Sequence, residues 1–91
     1  MPISETCLNI DGARAAQSLQ EALTALDTAG GEMVLDFSSV RRVDAGALRA
    51  MEKLAAAAGD KAVKVGLRGV NIDVYKALKL IKLASRFSFP A

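Results

Sequence analysis

The chain has 91 residues, 52% of them hydrophobic, with twelve basic and ten acidic side chains and a single cysteine. This composition is typical of a globular chain, and the length fits one domain over residues 1–91. Because histidine and any phosphate-binding glycine motif are absent, we expect no enzyme, no metal site and no cofactor.

The start of the chain, residues 1–5, lacks the basic and apolar segments of a secretion signal. No stretch approaches the roughly 18–20 apolar residues of a membrane span, so we expect no direct membrane insertion. Cys7 is the only cysteine, which leaves no internal disulfide and favours a reducing, cytoplasmic location. We expect its thiol to be buried and inert because it lies in an apolar stretch.

Hydrophobic periodicity predicts strands that alternate with helices along the chain. The predicted strands cover residues 6–10, 33–37 and 63–67, with a short last strand within 83–89. The predicted helices run from residue 13 to the glycines at 30 and 31, from 45 to 58, and from a cap at 71 or 73 to about 81. This alternation implies an α/β sheet with crossover helices.

Capping residues and apolar spacing define the second and third helices. Asp44 is the predicted N-cap of the second helix, because its carboxylate can accept hydrogen bonds from the unpaired N–H groups of the first turn. Asn71 or Asp73 caps the third helix, whose inner face should pack on the sheet. That inner face comprises Val74, Ala77, Leu78 and Ile81.

Residues 34–48, which join the second strand to the second helix, read VLDFSSVRRVDAGAL. The segment resembles the signature of STAS domains, which are named for sulphate transporters and anti-sigma factor antagonists. In that signature an apolar strand ends in L-D-[FL]-S and D-[ST]-[SG]-G-L opens a helix. The likeness covers residues 30–89, and it implies an α/β, STAS-like fold with a small mixed sheet covered by three or four helices. The N-terminal strand region is shortened, since family members begin with a two-stranded unit and this chain shows one strand.

The sequence departs from the family pattern at the residue that anti-sigma factor antagonists use as a switch. In those proteins a kinase phosphorylates a serine two positions after the aspartate, and the added charge disrupts docking. Gly46 occupies that position and Ala45 precedes it, so neither residue offers a hydroxyl. The resemblance therefore implies a docking module that is constitutively competent or controlled elsewhere.

A second segment, residues 67–75, reads LRGVNIDVY and is followed by Leu78-Lys79-Leu80. It resembles a subgroup of STAS proteins with L-x-G-V-N-x-x-V-Y and a K-L pair. That subgroup includes the small STAS subunit of bacterial ABC transporters that move phospholipids between membranes, and this subunit packs on the ATPase subunit. The usual threonine after the aspartate is Ala45 in this chain.

The leading hypothesis is a non-enzymatic, protein-binding STAS module, similar to anti-sigma factor antagonists, in a bacterial signalling or partner-switching complex. Two alternatives stay open: a STAS subunit that docks on an ABC ATPase, and a sensor that binds an anion or nucleotide at the unpaired N–H groups of the helix start. The expected partner is another protein, either kinase-like or an ATPase subunit, and the oligomeric state is left open. The predicted partner-binding residues are Ser38, Ser39, Arg41, Arg42, Asp44, Ala45, Gly46, Ala47 and Leu48.

Charge is unevenly distributed along the chain. Residues 61–91 hold seven basic side chains and one acidic side chain, a net charge of +6. No aromatic residues are interleaved with Lys76, Lys79, Lys82 and Arg86, so we expect a solvated face and no nucleic-acid site.

Overall fold

The computed structural model describes residues 5–28 and 31–89. Its strands are β1 (Glu5–Asn9), β2 (Glu32–Asp36) and β3 (Lys64–Arg68). Its α-helices are α1 (Ala15–Ala25), α2 (Ala45–Asp60) and α3 (Ile72–Leu80). Short 3-10 helices cover Gly12–Arg14, Leu26–Thr28 and Ala84–Arg86. The predicted alternation of strands and helices is confirmed.

The three strands form a parallel sheet in the order β1-β2-β3. Leu8, Leu35 and Leu67 lie side by side in its register. The prediction of a mixed sheet is wrong for the described residues. A helix lies between each strand and the next and returns the chain to the same end of the sheet, so neighbouring strands run in the same direction.

The end of the described chain forms less strand than the sequence predicted. Residues 83–89 contain the 3-10 helix Ala84–Arg86, followed by one parallel bridge between Gly66 and Ser88. The Leu67 N–H donates to the Ser88 carbonyl at 2.8 Å, and the Ser88 N–H donates to the Val65 carbonyl at 3.0 Å. These two bonds anchor the segment against the free edge of β3.

One apolar core lies between the sheet and the helices. Alternate strand residues point toward it, because successive side chains of a strand face opposite sides of the sheet. The strand residues of the core include Met33, Leu35, Val65 and Leu67, and the helices contribute Leu19, Ala22, Met51, Leu54, Val74 and Leu78. Alanines on the inner side of α2 keep this helix close to α1, which packs directly against it.

Cys7 lies on the other side of the sheet from this core. Its neighbour in register is Val34, and its thiol is exposed, so the predicted burial is wrong. The apolar stretch around Cys7 misled the prediction, because an edge strand buries only its alternate residues. The Arg68 guanidinium lies 3.8 Å from the Cys7 sulfur.

Both predicted helix starts are confirmed at the level of single hydrogen bonds. The Asp44 carboxylate accepts the Ala47 N–H at 2.8 Å, which caps α2. The Asn71 side chain accepts the Val74 N–H at 2.8 Å, so Asn71 caps α3 and Asp73 does not.

The ends of α2 and α3 differ from the prediction, and each helix is followed by a residue in the left-handed conformation two positions beyond its end. The prediction ended α2 at residue 58, whereas the helix continues through residues 59–60 and Ala62 has φ of 57°. Lys82 has φ of 62°, and the Leu83 N–H returns to the Leu78 carbonyl at 2.8 Å. This turn buries Leu83 and leaves Ile81 exposed, contrary to the inner-face prediction. None of the helices in the described residues is long and apolar enough to span a bilayer.

Candidate functional site

The loop of residues 37–44 connects β2 to α2 at the carboxyl edge of the sheet. Its first residue, Phe37, is buried and donates its N–H to the Arg68 carbonyl at 2.7 Å. Val40 is also buried, and its N–H donates to the Phe37 carbonyl at 2.9 Å. Two apolar anchors therefore fix a loop whose polar residues face solvent.

Gly12 holds the loop from the side of α1. A Cβ atom on Gly12 would lie 1.9 Å from the Ser39 carbonyl oxygen, so only glycine permits this approach of the two backbones. The Ser39 hydroxyl donates to the Ile10 carbonyl at 2.9 Å on the same side. The loop is thus fixed to the segment that follows β1.

The segment after β3 holds the loop from the other side. Gly69 has φ of 71°, and a Cβ atom there would lie 2.7 Å from the Ser38 hydroxyl oxygen. The Asn71 amide donates to the Val40 carbonyl at 3.3 Å and to the Arg41 carbonyl at 3.0 Å. Asn71 therefore caps α3 and at the same time ties that helix to the loop.

Asp36 organises the beginning of the loop electrostatically. Its carboxylate accepts hydrogen bonds from the Ser38 hydroxyl and from the Ser38 N–H, the latter at 2.8 Å. The Arg68 guanidinium lies 3.5 Å from its second oxygen. The two Ser38 hydrogen bonds, followed by Arg68, hold the pKa of Asp36 below its usual range.

The structure places seven of the nine predicted partner-binding residues on one exposed surface. This surface carries Ser38, Ser39, Arg41, Arg42, Asp44, Ala45 and Gly46. Leu48 is half-buried, and Ala47 is only 1% exposed. Ala47 begins the inward stripe of α2, so its side chain packs in the core and is unavailable to a partner.

Gly46 lies in the first turn of α2 with open space around it. A Cβ atom at this position would contact only the Asp44 carboxylate, at an ordinary distance of 3.5 Å. Position 46 therefore has room for a side chain, and it faces solvent.

Two adjoining clefts beside the start of α2 were not predicted from the sequence. One, of about 310 Å³, lies between the start of α1 and the loop and is lined by Arg14, Arg42 and Asp44. The other, of about 360 Å³, lies between α1 and α2 and is lined by Gly46, Arg49 and Lys53. Ala16 and Gln17 line both clefts.

The clefts are basic. The ion pairs within 4 Å among the described residues are Lys61–Asp27 and Arg68–Asp36, so none of the four cleft cations forms one there, and Asp44 is the one acidic residue that lines either cleft. The spacing of Gly46, Arg49 and Lys53 by three and four residues was a signal that could have identified this face. We call the surface formed by Arg14, Arg42, Gly46, Arg49 and Lys53 the α2 docking face.

The chemistry available on the α2 docking face follows from its side chains. Residues 5–28 and 31–89 contain no group of three His, Cys, Asp or Glu side chains that could hold a metal ion. The face offers guanidinium groups, an ammonium group and the first turn of a long helix. Such groups recognise carboxylates and other anions.

Comparison with known proteins relates the chain to STAS domains over most of its length. A crystal structure of a sulfate transporter family protein from Wolinella succinogenes superposes with a TM-score of 0.79 at 20% identity, covering 98% of this chain and 79% of the other. A structure assigned as an anti-sigma factor antagonist from Thermotoga maritima gives 0.65 at 19% identity, covering 98% and 74%. No curated protein sequence matches the chain.

These structures share the fold, which confirms the predicted STAS-like architecture. The sequence itself matches the family described as "Mlab, STAS domain" over residues 9–87. That range includes the loop, the whole of α2 and the LRGVNIDVY segment. The chain therefore belongs to the family of Mlab STAS domains.

Proposed function

We propose that this chain is a non-enzymatic module that docks on another protein through the α2 docking face, as a relative of anti-sigma factor antagonists. The observation that carries the proposal is the pair of basic clefts on either side of an exposed helix start, beside a loop held on both flanks. None of the four cations forms an ion pair within 4 Å among the described residues, so the complementary surface of the partner is acidic.

The proposed module is not switched by a phosphate at the family position, because Ala45 and Gly46 carry no hydroxyl. Neighbouring serines do not substitute for it. The Ser38 hydroxyl donates to the Asp36 carboxylate and the Ser39 hydroxyl donates to the Ile10 carbonyl. A phosphate on Ser38 would place its charge against a carboxylate. We expect mass spectrometry to find neither serine modified after incubation with an anti-sigma kinase and ATP, and stoichiometric phosphate on either would contradict this.

A second candidate is a STAS subunit that docks on the ATPase of an ABC-type phospholipid transporter. This candidate is favoured by the LRGVNIDVY segment, since Gly69 and Asn71 of that segment hold the loop of residues 37–44 in place. Both candidates use the same docking face and differ in the identity of the partner.

Site-specific crosslinking in the organism that encodes the chain tests the proposal. A photoreactive amino acid replaces Arg49 on the docking face or, as the control, Arg86. Arg86 is exposed in the segment beside Glu32, Val63 and Lys64, at the opposite end of the sheet from the loop. We expect one protein to crosslink from position 49 and not from position 86. Its identity separates a kinase-like partner from an ATPase, and equal crosslinking from both positions would contradict the docking face.

Purified components then test the charge argument. Arg49→Glu should weaken binding to the crosslinked partner by about tenfold or more, because a favourable pair becomes a repulsive one. Arg86→Glu makes the same change in charge outside the clefts and should leave the affinity unchanged.

A further inference from the structure

The large hydrophobic side chains that the described chain exposes are concentrated in one region. They are Ile72, Tyr75, Leu80, Ile81 and Phe89. All belong to α3 or to the segment that follows it, and Ile72 and Leu80 are 68% and 83% exposed. Single exposed apolar residues are ordinary, whereas a group on one element marks an interaction surface.

Three of these side chains form the walls of a concave pocket. Ile72, Tyr75 and Phe89, together with Val70 and Asn71, line an open space of about 400 Å³ whose surface is mostly apolar. The rings of Tyr75 and Phe89 meet edge to face with centroids 5.3 Å apart. We call this space the α3 pocket.

The walls of the α3 pocket are held in place by the rest of the fold. Asn71 hydrogen-bonds to the loop carbonyls of Val40 and Arg41, which fixes the start of α3. Ser88, next to Phe89, is bridged to β3 by two backbone hydrogen bonds. Because the walls of the pocket are already fixed, little conformational entropy is lost when a ligand enters it.

The Tyr75 wall of the pocket has a positive charge beside it. The Lys79 ammonium lies 5.9 Å from the centroid of the Tyr75 ring, and Lys76 is exposed on the same helix. Asp73 is the only acidic residue in the 61–91 segment, whose net charge is +6. An apolar ligand that enters the pocket is therefore best flanked by negative charge.

We propose that the α3 pocket is a second docking site, which receives one large apolar side chain from a segment of a partner protein that carries acidic residues beside this anchor. A space of about 400 Å³ lined by Ile72, Tyr75 and Phe89 has room for one large side chain, so we commit to a protein segment as the occupant and leave a lipid surface as an outcome of the test. The proposal does not depend on the α2 docking face, because the two sites share no lining residue.

Peptide selection on the full chain provides the test. A library of random 12-residue peptides displayed on phage is panned against the immobilised protein. We expect the enriched peptides to combine a leucine or aromatic residue with flanking Asp or Glu. The consensus peptide is then synthesised with a fluorophore, and its binding is measured by anisotropy.

Variants locate the binding site of that peptide. Ile72→Asp places a charge on the pocket wall at a helix start that tolerates acids, so it should remain folded and weaken binding by about tenfold or more. Lys79→Glu should also weaken binding. Lys53→Glu, an identical charge change on the α2 docking face, should have no effect and so separates the two sites.

Four results would overturn the proposal. They are enrichment of peptides without acidic residues, failure of any peptide to enrich, a consensus peptide that binds Ile72→Asp as well as the wild type, and loss of its binding in Lys53→Glu. Two further outcomes would reassign the surface. Concentration-dependent dimerisation that Ile72→Asp abolishes would show a second copy as the occupant. Binding to anionic phosphatidylglycerol vesicles that Ile72→Asp abolishes would show a lipid surface.

Discussion

Gly12 packs against the loop of residues 37–44, whereas Gly46 lies in the first turn of α2 with open space around it, so the same substitution should have different effects at the two positions. In Gly12→Ala the new Cβ atom would sit 1.9 Å from the Ser39 carbonyl oxygen and 2.9 Å from its carbon. The oxygen would then lie about 1.5 Å closer than the 3.4 Å of an ordinary contact. Both atoms belong to the backbone, so the loop itself must move.

The cost of that movement can be worked out from the contacts involved. Overpacking of this kind costs about 1–3 kcal/mol. Displacing Ser39 also breaks its hydrogen bond to the Ile10 carbonyl, which adds about 1 kcal/mol. We therefore expect Gly12→Ala to lower the free energy of unfolding by about 2–4 kcal/mol.

Gly46→Ala is the matched control, because its Cβ atom would contact only the Asp44 carboxylate at 3.5 Å. Alanine restricts the unfolded chain and favours the helix, so this variant should be as stable as the wild type or more stable by up to about 1 kcal/mol. Urea unfolding followed by circular dichroism measures both variants. If they unfold at the same midpoint, the backbone of Gly12 does not hold the loop as we describe.

Three further predictions test the scaffold and the loop. Leu78 is fully buried, so Leu78→Ala should lower the free energy of unfolding in urea by about 2–5 kcal/mol. Lys79 is exposed, so Lys79→Ala should change it by no more than about 0.5 kcal/mol. Equal unfolding midpoints for the two variants would show that α3 does not pack on the core through Leu78. Asp44→Ala removes the cap on Ala47 and should cost about 0.5–2 kcal/mol in the same assay, and an unchanged midpoint would refute the cap. The pKa of Asp36 is lower in the folded chain than in the unfolded chain. The ionised Asp36 carboxylate therefore stabilises the fold above its unfolded pKa, and this contribution is lost as the pH falls through its folded pKa. Asp36→Asn should therefore lose less stability than the wild type when urea unfolding is repeated below about pH 4, and parallel pH profiles would contradict this.

The order of elements was predictable because it depends on local signals. The Leu and Ala spacing of α2 and the capping side chains of Asp44 and Asn71 act within one or two turns of the chain. The errors arose where burial depends on tertiary position. Cys7 was assigned to the core, although alternation along an edge strand exposes it. Ile81 was assigned to the inner face of α3, although the helix ends at Leu80 and the turn at the left-handed Lys82 buries Leu83 instead.

Part of the candidate site was predictable because it too depends on local sequence. The loop and the start of α2 follow from one continuous motif, and the structure places most of its residues on one surface. The basic clefts depend on α1 approaching α2, which brings Arg14 beside Arg42 and Gln17 beside Gly46. The role of Gly12 depends on Ser39, 27 residues further along the chain, and the residues next to Gly12 in the sequence carry no information about that contact.

The central claim is that a partner docks at the start of α2, and the affinity of Gly46→Asp for the crosslinked partner tests it most directly. The position is exposed and the helix dipole tolerates an acid there, so folding should be preserved in a parallel urea melt. Isothermal titration calorimetry should then show Gly46→Ala binding like the wild type and Gly46→Asp binding about tenfold or more weakly, since the new carboxylate meets an acidic surface. Wild-type affinity in a folded Gly46→Asp variant would contradict the account.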